Sequence, residues 1–189
     1  MSTTDPIRDK KQLRKLAGYW LERNNYRNYT LIVLGVCTAL RTGDLLRLAW
    51  DDVYDDTCGK FRSHITVTEM KTKKLRTIAL NNQAITALTL LYPYKQGNCI
   101  FVNNRKCDQP ISRTQAWRII KNSAAATGLT GCISTHSLRK SFGYFAYKSG
   151  VMPVLLMDLY NHTSFEVTRR YLGIAQEDRD KVYHNMSPF

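Results

Sequence analysis

Acidic residues are scarce in this 189-residue chain, with 15 Asp and Glu against 28 Lys and Arg, for a formal net charge of +13. No carboxylate cluster suited to Mg²⁺ can be picked out, so neither a metal nor any other cofactor is expected. Long apolar runs are missing too. None approaches the roughly 18 residues that span a bilayer, and the opening MSTTDPIRDKKQLRK lacks the apolar stretch of a secretory signal. Neither a membrane span nor a secretory signal is therefore expected, and the protein reads as cytoplasmic, with no membrane among its expected partners. The five cysteines, Cys37, Cys58, Cys99, Cys107 and Cys132, form no CxxC pair and have no histidine at zinc-ligand spacing. That argues for buried thiols in a reducing compartment over a zinc site or a disulfide framework. Repeats, linkers and low-complexity segments are also lacking.

What remains is an ordinary folded composition, 43% hydrophobic and 11% aromatic, long enough for one domain with a sizeable core. The basic excess calls for a polyanionic partner, nucleic acid first and an anionic membrane surface second.

Helical periodicity places Leu13, Leu16, Ala17, Trp20 and Leu21 on one face of a first helix, with Asp9 and Gln12 in capping-box positions. YTLIVLGVCTAL predicts a second, buried helix. RTGD interrupts it, and LLRLAWDDV predicts a third helix starting after Thr42. HITVTEM and LRTIAL read as two strands joined by the basic turn KTKK. QAITALTLLY and the segment between Ser112 and Gly128 return to helix, with CIFVN a strand or extended stretch between them. SLRKSFGYFAYKSG predicts a further helix. Pro153 opens the short helix VLLMDLY, and Thr163 with Glu166 marks Thr163 as N-cap of the last clear one. The expected fold is mostly α (α+β): one helical domain over residues 1–189 with a small antiparallel sheet.

Several residues fit poorly with packing alone. His136 and Arg139 lie three apart, so a helix projects them together. Arg41 stands at a helix break among apolar neighbours, where an ion pair with Asp44 is the structural alternative. Lys71 sits at the tip of the hairpin, His162 heads a helix, and Tyr171 lies inside one behind two arginines.

These segments resemble the motif boxes of the tyrosine recombinase (phage integrase) catalytic domain. ALRTGDLLRL is similar to the first-arginine box, with Arg41 followed three residues later by Asp44. MKTKKLRTIAL is similar to the hairpin box, with Lys71 as its lysine, and HSLRK to the HxxR box of His136 and Arg139. LYNHTSFEVTRRYL is similar to the closing box, in which His162 precedes the tyrosine, Tyr171, by nine positions. The boxes occur in the family's order over about residues 30–175. Two departures stand out: Asn161 replaces the glycine usual before the closing histidine, and Lys140 stands where histidine is frequent. A separate N-terminal DNA-clamping domain is not expected in this chain, though a fragment of a longer integrase is the alternative.

The resemblance implies a site-specific recombinase that cuts and rejoins double-stranded DNA through a 3′-phosphotyrosine, as part of a bacterium, phage or mobile element. Tyr171 would be the nucleophile. Arg41 and Arg139 would clamp the non-bridging oxygens with planar, permanently charged forks, His136 and His162 would donate to the same oxygens, and Lys71 would protonate the departing 5′ oxygen. It also implies a multimer on DNA, with the tail of residues 175–189 exchanged between protomers. Lys73, Lys74, Arg76, Arg113, Arg118 and Lys121 are candidates for phosphate-backbone contacts. Two other readings stay open: a topoisomerase IB-like nicking and closing activity, and a catalytically silent DNA-binding regulator of the same fold.

Overall fold

The computed structural model describes residues 4–104, 106–174, 180 and 183–186, without the side chains of 106–108. It divides into two compact units, residues 1–142 and 143–189.

The first unit begins with α1 (Lys10–Leu21), capped by the Asp9 side chain on Lys11 N–H, and α2 (Tyr26–Cys37), capped by Asn25 on Asn28 N–H. These short polar caps take up backbone donors that the first helical turn leaves without partners. LLRLAWDDV is not one helix. It forms α3 (Thr42–Leu46) and α4 (Trp50–Val53), because the backbone between them pairs instead with another segment. Ile100 N–H donates to Leu48 O (3.2 Å), Trp50 N–H donates to Asn98 O (2.8 Å), and Ala49 bridges Cys99. Three two-stranded antiparallel ribbons follow among the described residues. They are β1 (Tyr54–Asp55) with β2 (Lys60–Phe61), β3 (His64–Thr68) with β4 (Leu75–Ala79), and β5 (Val102–Asn103) with β6 (Lys106–Pro110). The second ribbon is the hairpin expected around KTKK, in register Ile65 to Ile78. Both isoleucines are buried, which fixes the face and therefore the register.

α5 (Asn82–Leu91) and α6 (Arg113–Ala126) complete the first unit, together with the start of α7 (Thr135–Lys148). Ser112 and Gln115 close a reciprocal capping box at the head of α6. One apolar core gathers Leu31, Leu34, Leu40, Leu48, Trp50 and Phe101. A second, formed by Ile7, Leu16, Ile32, Ile120 and Leu138, holds the head of α7. Each fully buried side chain of this size contributes about 1.5–3 kcal/mol. Gly35 lets α7 come close, since a Cβ there would lie 2.6 Å from Leu138 Cδ1.

The second unit contains the end of α7, α8 (Pro153–Tyr160) and α9 (Phe165–Leu172). Gly143 of α7 packs against Leu172 and Tyr160, where a side chain would have no room. The N-cap of α9 is Ser164, whose side chain accepts from Val167 N–H, and not Thr163. Of the expected tail of residues 175–189, only 180 and 183–186 are among the described residues. The cysteines depart from expectation: of the four with described side chains, Cys58 and Cys132 are exposed and Cys37 and Cys99 half-buried. No helix among the described residues is long and apolar enough to cross a membrane.

Candidate active site

Arg41 is the N-cap residue of α3, in extended backbone immediately after a turn in which Ala39 takes a positive φ of 51°. That turn presents the Ala39 carbonyl to Arg139, whose Nη1 donates to it. Arg139 is only 4% exposed. A buried guanidinium needs acceptors, and here one is supplied two residues before the other arginine of the site. The turn therefore ties the two arginine boxes together.

Arg41 is ion-paired, but not with Asp44. Its Nη1 lies 2.7 Å from Glu69 Oε2, and Arg76 Nη1 approaches Glu69 Oε1 at 3.5 Å. Asp44 is buried and turned to the hairpin, accepting from Met70 N–H at 2.9 Å. The Glu69 side chain is 7% exposed. Burial pushes its carboxyl up, but the hydrogen bond from Thr72 Oγ1 (2.7 Å) and the Arg41 guanidinium, with Arg139 beyond, outweigh that. They hold it below the usual carboxylate range. Glu69 also closes the hairpin turn, its N–H donating to Lys74 O (3.0 Å) and its O accepting from Lys73 N–H (2.9 Å).

His136 stands in the first turn of α7, its N–H donating to Ser134 Oγ (3.3 Å). The residue is exposed. Its proton affinity is lowered, first by the partial desolvation it suffers and then by Arg139, Lys140, Arg113 and Arg41. Arg113, considered from the sequence as a backbone contact, thus belongs to the same electropositive neighbourhood. Its guanidinium lies over Gly43, where a Cβ would stand 2.5 Å from Nη2. Lys140, one of the two departures from the family pattern, donates from Nζ to Thr4 O at 2.6 Å, and burial lowers its proton affinity.

Lys71, Lys73 and Lys74 are exposed on the hairpin turn, Lys73 with a positive φ of 58°. Arg118 is exposed on α6, and the Lys121 ammonium sits 5.9 Å from the centre of the Trp117 ring. Arg76 is drawn inward to Glu69, which removes it from the exposed set.

In the second unit His162 and Tyr171 come together. Their ring centres are 5.2 Å apart with planes at 75°, and Tyr160 stacks on His162 at 5.5 Å. His162 N–H donates to Met157 O (2.9 Å), and its Nδ1 lies 3.1 Å from the hydroxyl of Thr168, a fully buried residue. Asn161 adopts the left-handed conformation (φ 53°, ψ 50°) as C-cap of α8. Asparagine tolerates that region better than other non-glycine residues, so this departure keeps the turn into His162.

The sequence profile of the phage integrase family matches residues 8–178. The chain belongs to the phage integrase family. It is 36% identical over 189 residues to the "Probable integrase/recombinase YoeC" of Bacillus subtilis (strain 168), covering 97% of both proteins. The fold is that of XerA recombinase (TM-score 0.78, 20% identity, 98% of this chain and 66% of that one). It is also that of XerH site-specific recombinase bound to palindromic difH substrate (TM-score 0.73, 18% identity, 97% of this chain and 54% of that one). The family member thus spans two thirds or less of those two recombinases.

Sequence reasoning missed Glu69, Thr168 and the Ala39 carbonyl. A signal for Glu69 was present: Ile65, Val67 and Glu69 fall on one face at a spacing of two. A carboxylate on the row whose first member is buried needs a cationic partner.

Proposed function

We propose that this chain is a tyrosine recombinase that cuts and rejoins double-stranded DNA through a 3′-phosphotyrosine without metal. The observation that carries the reading is the arrangement of Arg41, Arg139, Arg113 and His136 as one electropositive neighbourhood, in which the Glu69 carboxylate is ion-paired with Arg41 and Arg76. A scissile phosphate gains negative charge on its non-bridging oxygens as the nucleophile attacks, and fixed guanidiniums meet that charge with little reorganisation. Tyr171 is the nucleophile and His162, edge-on to it, the histidine that handles its proton. As the tyrosine oxygen bonds to phosphorus, the bond to the 5′ oxygen breaks and Lys71 delivers a proton to the leaving oxygen. The cationic side chains take the part a metal ion plays elsewhere. Membership of the phage integrase family supports this chemistry, as does the likeness to a recombinase named as bound to its difH substrate. Assembly into a multimer on DNA, with the segment after residue 174 exchanged between protomers, belongs to the same reading.

The test is a nicked substrate that traps the cleaved state. A covalent protein–DNA adduct is expected in excess EDTA and without nucleotide, and Tyr171→Phe should abolish it while leaving DNA affinity nearly unchanged. An adduct that persists in Tyr171→Phe moves the nucleophile elsewhere. No adduct on any cognate site favours the silent regulator.

A further inference from the structure

Glu69 is placed where no part of the chemistry above requires a carboxylate. A negative charge beside an arginine meant for phosphate weakens the attraction of that arginine for DNA, so its presence calls for a compensating purpose. Three features of its surroundings supply one. Its side chain is enclosed, and its two oxygens are divided between Arg41 on one side and Arg76 on the other. The oxygen that faces Arg41 also accepts from Thr72 Oγ1, in the residue next to Lys71. Its main-chain N–H and C=O both close the turn that carries Lys71. One residue is therefore bonded by side chain to the arginine and by side chain and backbone to the lysine loop.

We infer that Glu69 is a positioning residue that couples the Lys71 turn to Arg41, so that the leaving-group proton donor is held in step with the phosphate clamp. Asp44 of α3 reinforces the tie by accepting from Met70 N–H. The exposed lysine side chain has many rotamers, and a turn anchored at its base restricts where they reach. Neutralising Glu69 weakens the tie between the turn and Arg41 while leaving both cations in place. This inference rests on the recombinase reading.

The experiment compares two forms of the trapping substrate, one with oxygen and one with sulfur at the bridging 5′ position of the scissile phosphate. When phosphorus accepts the tyrosine oxygen, the first substrate needs a proton on the departing oxygen. The second releases a thiolate, which is stable without one. The variants are Glu69→Gln, of equal size, and Thr72→Val, which removes the hydroxyl link but no charge. With the oxygen substrate, both should form adduct at least tenfold more slowly than the unsubstituted protein. With sulfur the deficit should shrink to about twofold or threefold. DNA affinity of Glu69→Gln should be equal to or tighter than that of the unsubstituted protein, because a carboxylate is gone, and thermal melting reports whether each variant is folded. Equal deficits on both substrates would mean that Glu69 acts through Arg41 alone and would overturn the coupling. So would unchanged rates, or a loss of DNA binding that tracks a loss of folding. If the unsubstituted protein forms no adduct on either substrate, the recombinase reading falls first and this inference with it. A normal adduct with an unimpaired Glu69→Gln and Thr72→Val sinks the inference alone.

Discussion

Gly35→Ala sets two opposed effects against each other. Alanine in a helix interior is favoured over glycine by about 1 kcal/mol, and position 35 lies inside α2. The added Cβ would meet Leu138 Cδ1 at 2.6 Å and Leu138 Cβ at 3.3 Å. The first contact involves a branch end that can turn, but Leu138 is only 2% exposed and has little room to turn into. The second involves an atom fixed to the α7 backbone, so α7 itself must yield by a few tenths of an ångström. Overpacking of this kind costs about 1–3 kcal/mol, so packing should win by about 1 kcal/mol. For a chain of this length that lowers the melting temperature by about 2–4 °C. Leu138 sits between His136 and Arg139 on α7, so the same displacement moves the catalytic pair proposed above. Adduct formation should therefore fall about tenfold, more than the fraction unfolded accounts for. Calorimetry and single-turnover trapping measure the two effects on one sample. A Gly35→Ala protein that melts higher, or that forms adduct at the ordinary rate, would refute the close-approach reasoning.

Thr168→Val keeps the buried volume of α9 while removing the hydroxyl 3.1 Å from His162 Nδ1. Adduct formation should drop about tenfold with DNA affinity unchanged, and an unaltered rate would show that His162 needs no such support. His136 titrates below its ordinary value of 6.5 in the folded chain, so the unfolded chain binds the proton first. The stability it leaves intact above about pH 6.5 is lost as pH falls through the folded value. Between pH 7.5 and 5.5 the unsubstituted protein should lose more melting temperature than His136→Gln, and parallel curves would refute this sign.

Local features were legible in the sequence because they are local. Arg41 stands out by its polarity at a helix break, the pairing of His136 with Arg139 by helical spacing, and the hairpin by alternation around a basic turn. Long-range choices were not. Nothing in RTGD distinguishes Asp44 from Glu69 as the partner of Arg41, since the decision depends on a strand ending some 25 residues later against α3. The third helix split for the same reason, its backbone being claimed by Asn98 and Ile100. Thr163 and Ser164 are both good N-caps, and the turn from Asn161 selects the second.

The alanine at position 39 has a consequence for how the arginines are aimed. Holding a methyl group in left-handed backbone costs about 1–2 kcal/mol, and glycine would avoid that cost. Glycine would also wander over far more conformations before folding, so exchanging the two alters stability less than stiffness. With alanine, the peptide plane that receives Arg139 and leads into Arg41 has little rotational slack. The turn works as a machinist's jig: one rigid plane sets the direction of two long, floppy tools before any workpiece arrives.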